Sequence, residues 1–151
     1  MAQEQPWHAA FPAPKTTEPL SLTREEVLAK LVSGEVGRDV VIVDLRRNDF
    51  EGGSIKGAIN LPVQSLYPTI PTLYGLFQAA GVKFIIWYCN SCGDRGTRAA
   101  GWFQDHIDDK NNEDMKSAIL IGGIKGWAAG GSEYVQLMDG YKADYWPQFK
   151  S

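Results

Sequence analysis

Three short apolar runs constrain the fold more than any other feature of this chain: Val40-Val41-Ile42-Val43-Asp44, Val82 to Tyr88, and Ser117 to Ile121. Each is too short for a buried helix and reads continuously apolar rather than alternating, the pattern of a strand covered on both faces. The intervening segments carry helical signals. Thr23-Arg24-Glu25-Glu26 fits a capping box, and Val27, Leu28, Leu31 and Val32 form a stripe that stops near Gly34. A second helix is expected from about Pro71 to Ala80, ending at Gly81. A third is expected from Arg95 to Asp108, with Ala99, Trp102, Phe103 and Ile107 on one face. Ala58-Ile59-Asn60-Leu61 adds a short strand closed by Pro62. Buried strands alternating with helices imply an α/β layer with a mainly parallel sheet.

At 151 residues the chain fits one domain. Residues 1–20 hold four of the eight prolines and read as an extended, partly ordered arm, with Trp7 and Phe11 as apolar anchors; the domain proper is expected over 21–151. A net charge of −3 with no basic cluster argues against a nucleic-acid partner. No apolar run approaches the length that spans a bilayer, and no signal peptide is evident, so no membrane partner is expected. Two cysteines, three positions apart, build no long-range disulfide framework; the expectation is a reduced, cytoplasmic or nuclear protein.

In parallel sheets of this kind ligands sit at the carboxyl ends of the strands. Asp44, Cys89 and the Gly122-Gly123 turn all fall there. Cys89-Asn90-Ser91-Cys92-Gly93-Asp94-Arg95 joins the second apolar run to the third helix. A thiol attacks only as thiolate. A helix N-terminus, inward amides of residues 90–95 and the Arg95 guanidinium all favour that anion, and the same donors suit a tetrahedral oxyanion. Gly93 and Gly96 relieve crowding in such a loop. Cys89 is therefore the candidate nucleophile and Arg95 the candidate bidentate partner of the oxyanion. The bland reading of Cys89 is a structural cysteine, because a Cys-x5-Arg spacing alone is weak; strand, glycines and helix supply the context.

The chain resembles a single rhodanese domain and, within that superfamily, the cell-division-cycle dual-specificity phosphatase catalytic domain and the eukaryotic arsenate reductases. Val41 to Arg46 is similar to the strand ending in Asp-x-Arg, and Phe50 to Pro62 to the Glu-Gly-Gly-His-Ile segment. Ile121 to Trp127 is similar to the Gly-Gly-x-x-x-Trp turn. The resemblance implies a three-layer fold, a mainly parallel central sheet flanked by helices. Sulfurtransferase members have a six-residue loop, whereas the phosphatase and arsenate reductase branch has seven, Cys through Arg, as here. The implied function is hydrolysis of phosphate monoesters through a phosphocysteine intermediate, on a phosphorylated protein or a small phosphate. Alternatives are arsenate reduction on the same loop with a thiol reductant such as glutathione or glutaredoxin, thiosulfate-type sulfur transfer, and an inactive binding module. No metal or organic cofactor is implied. Thiol-redox proteins are partners only under the reductase reading.

The pattern departs from the family twice, with Tyr88 where a histidine precedes the nucleophile and Ser54 where the glycine pair is followed by histidine. Activation of Cys89 then leans on the loop amides and Arg95, with Tyr88 as a hydrogen-bonding support. Asp94 stands where the cell-cycle phosphatases carry an acidic residue and serves either as proton donor or as a helix-start carboxylate. Arg98 either adds charge for substrate or pairs with Asp44, Glu51 or Asp94. Asp44 and Arg46 are expected to brace the loop by buried hydrogen bonds. Cys92 either traps an oxidised Cys89 as a disulfide or fills the loop; the family's protective cysteine position holds Leu45. Cys89, Cys92 and His106 lack a fourth ligand for zinc, and His8 lies in the arm. Trp127 reads as core support for the last turn.

Overall fold

A computed structural model describes residues 6–91 and 93–149. The strands are β1 (Leu20–Leu22), β2 (Val40–Asp44), β3 (Ser54–Ile55), β4 (Ile59–Asn60), β5 (Phe84–Tyr88), β6 (Lys116–Leu120) and β7 (Met138–Asp139). The helices are α1 (Arg24–Val32), α2 (Ile70–Ala79), α3 (Asp94–Asp109), α4 (Gly123–Ala128) and α5 (Ser132–Val135). Five strands form one sheet in the order β1-β6-β5-β2-β4, with every pair parallel. β3 and β7 make a separate antiparallel ribbon that ties the 52–55 segment to the C-terminal region.

The apolar runs are buried on both faces because strand side chains alternate. From β5, Ile85, Trp87 and then Cys89 face one side with Val43 and Leu45; Ile86 and Tyr88 face the other with Val40 and Ile42. The first side is covered by α2 and α3 through Tyr74, Phe77, Phe103 and Ile107. The second is covered by α1, α4 and α5 through Val27, Ile124, Trp127 and Tyr134. The result is a three-layer α/β domain. Trp87 bonds Ser117 Oγ (2.9 Å), and Trp127 bonds the Tyr134 carbonyl (2.9 Å), so both buried indoles keep a partner.

The capping box forms as read: Glu26 N donates to Thr23 Oγ1 (3.1 Å), and Thr23 N to Glu26 Oε1 (3.0 Å). Strand boundaries differ modestly from expectation, since β5 begins at Phe84 rather than Val82 and β6 covers 116–120 rather than 117–121. Two features are additions. β1 was not anticipated; Leu20-Ser21-Leu22 becomes a strand by pairing with β6. Residues 6–19 run along the body, where Trp102 Nε1 donates to the Pro12 carbonyl (2.8 Å), and Asp105 accepts from Lys15 N, Thr16 N and Thr16 Oγ1. Trp7 and Phe11 pack edge-on against Trp102. Among the described residues, no helix is long and apolar enough to cross a membrane.

Candidate functional site

The site is built where three strand ends meet. β5 delivers Cys89 at its C-terminal end, and α3 begins at Asp94. The thiol is 3 % exposed and packs against the start of α3; a Cβ on Gly96 would sit 3.8 Å from Cys89 Sγ. Gly93, the N-cap residue of α3, offers no side chain to cap it. The first-turn amides therefore have no intrahelical acceptor and no side-chain cap, the arrangement that receives anions.

The Gly122-Gly123 turn clamps this loop from the other side. Ile124 N donates to the Cys89 carbonyl (3.1 Å) and Lys125 N to the Asn90 carbonyl (2.9 Å). The turn can approach so closely because Gly123 has φ +59° and a Cβ there would lie 2.6 Å from Cys89 O and 2.9 Å from Asn90 O. Within the loop, Cys89 Sγ donates to the Ser91 carbonyl (2.8 Å) and Gly93 N also donates to it (2.8 Å). Asn90 Oδ1 is buried with no hydrogen-bond partner among the described residues. Cys92 lies outside the described residues, so its redox reading stays where the sequence left it.

Arg95 lies in the first turn of α3, close enough to feel the Asp44 charge. Its guanidinium is held by Asp49, a residue that the sequence reading passed over: Nη1 to Oδ1 is 3.0 Å and Nη2 to Oδ2 is 2.6 Å, a bidentate fork. The Asp49 carboxylate raises the Arg95 pKa, and Arg95 in turn holds the Asp49 carboxyl below the usual range. Arg98 bonds Asp94 one turn back, Nη2 to Oδ1 at 2.9 Å, with Asp94 largely exposed. Of the pairings open to Arg98, the structure holds the one with Asp94.

Asp44 and Arg46 form a fully buried pair, with Arg46 Nε and Nη2 on the carboxylate at 3.0 and 2.8 Å. The brace they provide is to a different loop from the one expected. Arg46 Nη1 donates to the Glu51 carbonyl (2.9 Å) and Nη2 to the Gly53 carbonyl (2.7 Å), so the pair fixes residues 49–53. Burial works against the Arg46 charge, but the bonded Asp44 outweighs it and the pKa is raised. Tyr88 does not support Cys89 directly, because strand alternation turns it to the opposite face of the sheet. There its hydroxyl accepts from Ile55 N (3.2 Å), and burial together with the nearby Asp44 charge pushes its pKa well up.

Two cavities have linings that do not include Cys89. One of about 590 Å³ is lined by Phe50, Gly53, Lys142 and Tyr145; another of about 440 Å³ by Tyr67, Trp102 and His106. Among the described residues, no group of three or more His, Cys, Asp or Glu is placed to hold a metal ion.

The "Rhodanese-like domain" family model matches residues 23–130. Among curated proteins, Arsenical-resistance protein 2 of Saccharomyces cerevisiae is 29 % identical over 97 residues, covering 60 % of this chain and 75 % of that protein. Among solved structures, the As-Sb reductase of Leishmania major aligns with a TM-score of 0.71 at 19 % identity, over 80 % of this chain and 85 % of its own. Saccharomyces cerevisiae Ygr203w, described as a homologue of single-domain rhodanese and of the Cdc25 phosphatase catalytic domain, aligns with a TM-score of 0.70 at 23 % identity, over 84 % and 91 %.

Proposed function

This chain belongs to the rhodanese-like domain family, and from that premise we propose that it is a Cys89-dependent enzyme acting on tetrahedral oxyanions, with arsenate reduction as its reaction. Phosphate-ester hydrolysis, the first expectation from the loop alone, becomes the second reading. The observation that carries this order is the pairing of Asp94, the carboxylate of the loop, with Arg98, whose Nε and Nη2 donate to its two oxygens. An alkyl phosphate needs a general acid to protonate its leaving oxygen, and a carboxylate whose oxygens both accept from a guanidinium is not oriented for that transfer. Arsenate carries its own protons and loses oxygen as water. Similarity to a protein named for arsenical resistance supports the same choice.

In this scheme the first-turn amides of α3 and the Arg95 fork hold the oxyanion, and Asn90 Oδ1 accepts from one of its hydroxyls. The Cys89 thiolate forms an S–As bond as water leaves. A small thiol such as glutathione attacks the Cys89 sulfur. An S–S bond forms, the S–As bond breaks, and its electron pair stays on arsenic, which departs as arsenite. A second thiol or glutaredoxin reduces the mixed disulfide. The sum is one arsenate and two thiols giving arsenite, disulfide and water. Chemistry of this kind needs no metal.

The test is one panel on the wild type and Cys89→Ser: thiol-dependent arsenite formation, aryl phosphate hydrolysis, and sulfur transfer from thiosulfate to cyanide. Arsenite formation that disappears in Cys89→Ser is the expected result. Phosphate turnover without arsenite formation would instead install the phosphatase reading, favoured by the Cys-x5-Arg spacing. Silence in all three assays would leave a binding module.

A further inference from the structure

The residue most expected to hold the oxyanion, Arg95, is already holding a carboxylate. We propose that Asp49 is a positioning residue, an internal stand-in for the oxyanion, and that substrate binds by taking the Arg95 fork from it. The inference rests on the oxyanion reading above and deepens it.

Three observations converge on it. The Arg95–Asp49 contact is bidentate, at 3.0 and 2.6 Å, which is the fork geometry a phosphate or arsenate would need from the same two nitrogens. Asp49 is also set in place independently of Arg95. Arg47 N donates to its Oδ1 (3.2 Å), and the buried Arg46 fixes the 49–53 loop through the Glu51 and Gly53 carbonyls. The carboxylate is thus presented by a rigid scaffold rather than by two long side chains meeting in solvent. Finally, the Arg95 and Asp49 side chains are 24 % and 33 % exposed, so a solute anion can reach the pair, whereas the Cys89 thiol is nearly sealed.

The competition has a consequence for which anions occupy Arg95. A tetrahedral dianion offers two oxygens at fork spacing and more charge than the carboxylate it replaces, while chloride offers neither. Asp49 lowers the affinity of both by the same factor, so an anion that binds weakly to begin with leaves Arg95 on its carboxylate while the dianion still takes the fork.

The test measures binding of inorganic phosphate, which Cys89 cannot reduce, by calorimetric titration of the full chain. Four proteins are compared: wild type, Asp49→Asn, Arg95→Ala, and the double variant. The expected result is about three- to fivefold tighter phosphate binding in Asp49→Asn, the size of a partly exposed ion pair, and no such gain in the Arg95→Ala background. Equal or weaker binding in Asp49→Asn overturns the proposal, as does a gain of the same size in both backgrounds, which would reflect only the removal of a nearby charge. Asp49→Ser, titrated in parallel, covers a folding defect peculiar to the Asn variant. Arsenite formation, measured separately, distinguishes the failures. An inactive wild type with the Arg95-dependent gain intact sinks the reductase reading and leaves the competition standing; an active wild type without the gain does the reverse.

Discussion

Gly123→Ala is the substitution whose effect can be worked out most directly. Gly123 has φ +59°, so any side chain there adopts a left-handed backbone, at a cost of about 1–2 kcal/mol. The new methyl would also meet backbone, with Cys89 O at 2.6 Å, Asn90 O at 2.9 Å and Ser91 C at 2.9 Å. None of these is a flexible side-chain end that can step aside, so an overpacking term of about 1–3 kcal/mol is added. The sum is about 2–5 kcal/mol, or a fall of roughly 4–20 °C in Tm for a chain of this size. Gly81→Ala is the matched control: its φ is +78° but nothing lies within 4 Å, so only the backbone cost applies. Thermal and urea unfolding of the two variants should therefore differ by the overpacking term. Thiol-dependent activity, measured well below either Tm, should fall in Gly123→Ala and persist in Gly81→Ala. Equal destabilisation of the two would refute the claim that the Gly122-Gly123 turn is pressed against the cysteine loop.

Other expectations follow from the same contacts. Arg46→Leu leaves Asp44 buried without its cation and should cost about 3–5 kcal/mol, read by urea unfolding; a cost below about 1 kcal/mol would mean the pair is not sealed from water. Because the Asp49 pKa is depressed by Arg95, the pair stabilises the fold above the unfolded carboxyl value of about 4 and that contribution is lost as pH falls through the lower folded value. The urea midpoint of the wild type should thus drop more steeply than that of Asp49→Asn below about pH 4, and parallel curves would contradict the shift. Asp105→Ala removes the acceptor of three arm donors. Limited proteolysis should then cut within residues 6–19 faster, with arsenite formation unchanged.

Much of this structure was legible in the chain because local pattern and tertiary role coincide. Continuous apolar runs made β2, β5 and β6 readable, and the stripe of Ala99, Trp102, Phe103 and Ile107 made α3 readable. What escaped has no local pattern. Leu20-Ser21-Leu22 is a strand only because β6 is beside it, and the β3–β7 ribbon pairs two-residue segments from distant parts of the chain. Asp49 escaped for the same reason, since its partner is 46 positions away. One signal for it was present: β2 and β5 are neighbours running in parallel, so residues just after Asp44 must lie near residues just after Tyr88. Tyr88 itself was misjudged by proximity in sequence. A residue next to the nucleophile on a strand faces the opposite layer, and its hydroxyl serves Ile55 there.

The hydrogen bonds from Ile124 N and Lys125 N to the carbonyls of Cys89 and Asn90 have a further consequence. In a trans peptide the C=O and N–H vectors are antiparallel. Fixing those two carbonyls toward α4 therefore fixes the N–H groups of Asn90 and Ser91 pointing away from it. The polarity of the cysteine loop is thus imposed from outside, by a helix start near the far end of the chain. A protein cut before Gly122 would keep its cysteine, its arginine and the helix that carries the arginine, and yet lose the orientation of its peptide dipoles. The cysteine segment and the glycine turn are one electrostatic unit written in two places.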